Sequence, residues 1–125
     1  MQYMFIVKGD ENVDRKGPPP AAMMEAIGNL VQEATKSGKL ISFGGLRHTS
    51  EGGRVRSKGG KLITTDGPFT EAKEVIGGWS IYELSSKEEA MAEAVKFMEL
   101  HRVHWPEWEG ECEVRRMFDG TDDPF

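Results

Sequence analysis

Apolar residues recur along this chain at two periods, and their alternation predicts its elements. Tyr3 to Val7 is a continuous apolar run with aromatic and β-branched members, the mark of a strand covered on both faces. Gly17 and three prolines, Pro18 to Pro20, punctuate a loop, and a proline suits the entry of a helix, where its missing N–H has no partner to lose. Met23, Ile27, Leu30, Val31 and Ala34 then fall on one stripe of a helix ending near Gly38. Lys39 to Leu46 reads as a second strand. Ser50, Gly52 and Gly53 read as a hairpin turn into Arg54 to Ser57, and Lys61 to Thr65 as a further short strand.

Trp79 to Leu84 has strand character. Ser86-Lys87-Glu88-Glu89 then matches a capping box, in which Ser86 accepts from the Glu89 amide and the Glu89 side chain reaches back. Ala90, Ala94, Phe97, Met98 and His101 line a second helix that finishes before Pro106. Glu111 to Phe118 closes the order, with Cys112 and Val114 on one face and Glu111, Glu113 and Arg115 on the other. Strand, helix, a hairpin with an extra strand, strand, helix, strand is a ferredoxin-like α+β layout with both helices on one sheet face. Two helices cover only one face, yet two strands offer apolar side chains to both, so a homodimer joined face to face is expected.

The 125 residues fit a single domain over 1–118 with an acidic tail over 119–125. A net charge of −5 argues against nucleic acid as a partner, because phosphate binding needs a clustered basic face. No apolar run approaches the ~20 residues of a membrane span. One cysteine, Cys112, and an N-terminus without signal-peptide character point to the cytoplasm.

The densest chemistry lies in TDGPFTEAKEVIGGW, Thr65 to Trp79. Asp66 and Gly67 suit a turn, Pro68 stops the ladder, and Phe69 is placed to anchor the turn in the core. Thr70 is placed to cap a short helical turn through Glu74, and Gly77-Gly78 to form a bulge. All of this is a complete structural account. The functional alternative makes Asp66, beside Phe69 and Trp79, a general acid or base tuned by Glu71 or Glu74, with Arg47 or Arg56 steadying developing negative charge.

Asp66-Gly67-Pro68-Phe69, with Glu71, Lys73-Glu74 and Gly77-Gly78 after it, resembles the signature of DGPF-domain proteins in the YCII-related family. Weaker matches run from Tyr3-Met4 through Gly44-Gly45-Leu46 to Glu113-Val114-Arg115. The resemblance implies a dimeric α+β barrel. It leaves the activity open, since the wider superfamily includes lactone isomerases and dehalogenating or peroxide-linked enzymes, and some DGPF proteins accompany sigma factors. Arg116 stands where many such proteins have proline.

Among the histidines, His48 follows Arg47 where the second strand leaves the sheet. It is either an exposed turn residue or a cavity-edge catalyst. His101 and His104, with Glu107, have a spacing a metal would accept, but spacing alone is poor evidence; a helix end carrying histidines near its C-terminal dipole is the reading taken, and no metal site is assigned. Trp105 and Trp108 are placed as a rim against a partner subunit or over a pocket mouth. No cofactor motif is present: Val55 and Leu62 spoil a phosphate loop at Gly60-Lys61, and no dinucleotide fingerprint exists. The expectation is a protein that binds a small organic molecule, anions included, in a cleft beside the DGPF turn, either transferring a proton or acting as a noncatalytic ligand sensor or interaction module in transcriptional or stress regulation.

Overall fold

A computed structural model describes residues 1–11 and 18–120. The described elements are β1 (Gln2–Gly9), α1 (Ala21–Lys36), β2 (Leu40–Gly45), a 3₁₀ turn (Thr49–Glu51), β3 (Gly53–Lys58), β4 (Lys61–Asp66), β5 (Val75–Glu83), α2 (Lys87–His104) and β6 (Gly110–Arg116). The fold is α+β. Its main sheet has the order β2-β5-β1-β6 with every adjacent pair antiparallel, an arrangement compatible with a ferredoxin-like fold. β3 and β4 form a separate two-stranded ribbon.

The core lies between the sheet and the helices. Tyr3, Phe5, Tyr82 and Leu84 bury against Ala34, Ala90 and Ala94, with Leu40, Cys112 and Val114 packed alongside. Alanines at the α2 contact let the helix approach closely enough for Phe5 and Tyr82, whose rings sit 4.9 Å apart, to fill the layer. Met23, Leu30 and Ala34 are the buried members of the α1 stripe. Ser86 caps α2 through the Glu89 amide at 3.1 Å. The Glu89 carboxylate reaches back one residue beyond the cap, to the Ser85 amide and hydroxyl.

Three local expectations are corrected. Ser50 to Gly53 is not a hairpin turn, because β2 pairs with β5 and leaves β3 to pair with β4. The hairpin turn is Gly59-Gly60, both at positive φ (57° and 77°), as a two-residue loop with the twist of its strands requires. Residues 70–74 form no helix: the Ala72 amide closes one turn onto Phe69 O, and β5 starts too soon for a helical nucleus to propagate. Phe69 is half-buried under the Arg54 guanidinium, 3.7 Å from its ring centre, and is not part of the core. The bulge expected at Gly77-Gly78 is present, since Val7 pairs with Gly78 and Lys8 with Ile76, leaving Gly77 unmatched on β1. Of the tail expected over 119–125, residues 121–125 lie outside the described residues.

Candidate functional site

Because β5 is antiparallel to both β1 and β2, those two strands run parallel and end at the same edge of the sheet. β5 and β6 begin at that edge, as Gly9 pairs with both Val75 and Gly110. The C-terminal end of α2 lies there too. Together these ends border an open cavity of about 280 Å³, whose apolar wall includes Val7, Leu46, Ile76, Trp105 and Trp108. Its polar lining consists of Lys8, Glu11, Arg47, His48 and His101.

His48 and Glu11 meet across the cavity wall, His48 Nε2 lying 3.2 Å from Glu11 Oε2, with each side chain only about one-eighth exposed (13% and 12%). His48 Nδ1 accepts from the Ser50 amide at 3.1 Å, capping the 3₁₀ turn. That bond assigns the proton of the neutral ring to Nε2, which donates it toward Glu11. Glu11 also accepts from Thr49, through both the backbone amide and the hydroxyl, the latter at 2.7 Å.

The DGPF turn stands behind this pair. The Gly67 amide donates to Gly52 O at 2.9 Å, and the Phe69 amide to Thr49 Oγ1 at 3.0 Å. A Cβ on Gly67 would fall 1.6 Å from Thr49 O, so glycine is what lets the two backbones touch. The turn therefore braces the loop that presents His48. Asp66 itself ends β4 opposite Gly53, is exposed, and does not line the cavity.

The other expected site residues divide in the same way. Arg47 and His48 line the cavity. Phe69, Arg54 and Glu71 form a surface cluster, in which the Glu71 carboxyl is held below its usual range by a backbone amide and by Arg54. Arg56 lies on the exposed ribbon. Trp79 sits over Gly44, where a Cβ would approach its indole to 3.0 Å. Glu74 is exposed, near enough to Lys8 to raise that ammonium's pKa slightly beside the larger effect of Glu113.

Glu11, Lys8 and His101 were not singled out from sequence as a group. Their common signal is position at the same sheet edge: Lys8 and Glu11 at the exit of β1, His101 at the exit of α2. Lys8 is ion-paired with Glu113 at 2.7 Å, and Arg47 with Glu51 at 2.8 Å. His101 is buried, its Nδ1–H donating to Phe97 O at 3.0 Å, and burial pushes its pKa below the ordinary histidine value. Its ring contacts those of Phe97 and Trp108, with centres 4.6 and 4.4 Å away. Gly110 makes room for Trp108, since a Cβ there would come within 2.4 Å of both the indole and Lys8 O.

An antiparallel sheet with two helices and a polar-edged cavity at one sheet end makes this an α+β domain with both helices packed on one sheet face. The chain belongs to the YCII-related family, whose domain model matches residues 1–97. It is also similar to an uncharacterized protein of Rhizobium meliloti (strain 1021), 27% identical over 93 residues, which covers 73% of this chain and 75% of that protein. Among the described residues no helix is long and apolar enough to cross a membrane.

Proposed function

We propose that this protein binds a small organic molecule in the cavity at the β1, β2 and α2 ends and moves a proton there through the His48–Glu11 pair. The observation that carries the reading is the pair itself: an imidazole and a carboxylate, 3.2 Å apart, nearly closed off from solvent and both lining the same cavity. A carboxylate steadied by an imidazole N–H and by Thr49 is placed to take a proton from a bound acid and return it elsewhere on the molecule. In this reading Asp66 is not the catalyst, and the DGPF turn is the brace.

One observation favours a noncatalytic reading, in which the cavity binds and the chain signals. His48 already caps its own turn and Glu11 already holds Thr49, so the pair has a complete structural task. A thermal-shift screen of small acids, lactones and peroxides on wild type, Glu11→Gln and His48→Gln separates the two. Turnover of a stabilising compound that is lost in Glu11→Gln supports proton transfer. Binding without turnover supports the sensor, and no compound perturbing the cavity residues by NMR overturns both.

The proposal includes a cytoplasmic homodimer of ferredoxin-like subunits paired into an α+β barrel. What supports it is the sheet face away from the helices, where the register puts Met4, Ile6, Trp79 and Ile81 together, and Ile41, half exposed on the neighbouring β2. Light scattering that finds a monomer at tens of micromolar would remove it.

A further inference from the structure

His101 is 8% exposed, and its ring packs against those of Phe97 and Trp108. With Nδ1–H committed to Phe97 O, the remaining ring nitrogen, Nε2, is an acceptor, and it has no hydrogen-bond partner among the described residues. A buried acceptor left unmatched is costly, and His101 lines the cavity. The wall beside it is aromatic: Trp105 and Trp108 stack at 6.2 Å with 28° between their planes. Charge in the cavity is already matched, for Lys8 faces Glu113, Arg47 faces Glu51 and His48 faces Glu11.

An anion entering there would meet the part-buried Glu11 carboxylate and cations that already have carboxylate partners, whereas a neutral molecule meets no like charge. Resting on the ligand-binding reading of this cavity, we infer that its occupant is an uncharged, flat, largely apolar molecule carrying one N–H or O–H donor, which His101 accepts at Nε2. The volume of about 280 Å³ accommodates one or two fused rings or their equivalent. His101 is thus a specificity-determining residue, reading the presence of a donor, while the tryptophans read flatness.

The test uses indole, 1-methylindole and indole-3-carboxylate, titrated into the full chain with amide NMR mapping. Indole has the donor, 1-methylindole keeps the shape without it, and the carboxylate keeps the donor and adds charge. We expect indole to bind roughly two- to tenfold more tightly than 1-methylindole, the range of one net hydrogen bond, and more tightly than the carboxylate. His101→Phe, which keeps an aromatic ring but removes the acceptor, should abolish indole's advantage over 1-methylindole. Equal binding of the two in wild type, tightest binding by the carboxylate, or an advantage that survives His101→Phe would overturn the inference. If that variant fails to fold, the wild-type comparison still decides. Probes that shift Leu46 and Ile76 without donor preference would defeat the His101 inference and leave the binding reading standing. No shift there with any indole would also defeat the inference, and the binding reading would then fall only if the screen of acids, lactones and peroxides were equally silent.

Discussion

Gly67→Ala tests whether the DGPF turn is a brace. The added Cβ would lie 1.6 Å from Thr49 O and 2.6 Å from Thr49 C, against about 3.4 Å for an ordinary contact. The turn and the Thr49–Glu51 loop would therefore have to part by about 1.8 Å, and both partners are backbone, which cannot swing aside. Such a displacement breaks the Gly67–Gly52 and Phe69–Thr49 hydrogen bonds, now 2.9 and 3.0 Å. Two neutral hydrogen bonds are worth about 1–3 kcal/mol together, and at roughly 4 °C per kcal/mol for a domain of this size Tm should fall by about 4–12 °C.

Urea and thermal denaturation measure the loss, and the NMR signals of the His48 ring report whether its pairing with Glu11 moves with Thr49. Gly28→Ala is the control: it sits exposed in α1, a Cβ there meets nothing within 4 Å, and alanine should stabilise that helix by about 0.5–1 kcal/mol. A Gly67→Ala protein within 0.5 kcal/mol of wild type, with unmoved His48 signals, would refute the bracing role.

Two further outcomes follow from buried groups. Burial pushes the Cys112 thiol up to about 11, so at pH 8 only about one thousandth of it is thiolate; iodoacetamide should label it on the order of a hundredfold more slowly in the native protein than in urea, and comparable rates would contradict its packing beneath α2. His101 has its pKa lowered by burial, so the unfolded chain takes up a proton that the folded chain resists. Its contribution to stability is present above the ordinary histidine value of about 6.5 and is lost as pH falls through the depressed one, with a slope of at most about 1.4 kcal/mol per pH unit. Urea midpoints between pH 5 and 7 should accordingly fall more steeply on acidification in wild type than in His101→Phe, and parallel slopes would count against a buried, neutral ring.

Local periodicity made much of the fold legible. The α1 stripe, the Ser86 cap and the alternation of Cys112 and Val114 against Glu113 depend on residues within a few positions of each other, and each is where its spacing puts it. The Gly77 bulge was legible for the same reason. The ribbon was misread because a glycine pair marks a turn without saying which strands it joins. Gly52-Gly53 leads out of the main sheet, and Gly59-Gly60 makes the hairpin.

The site divides along the same line. His48 was visible as a polar residue leaving a strand, whereas Glu11 was not, because nothing local connects two residues 37 positions apart. Sequence by itself determined the strands and the helices, since these are set by side-chain period. Only the tertiary structure decided that β1 and β2 end together on either side of β5, which sets Glu11 against His48, leaves Asp66 outside, and places His101 under the tryptophans. The reason is physical: strand pairing is a contest among all the chain's edges at once, and its outcome is not written in any one stretch.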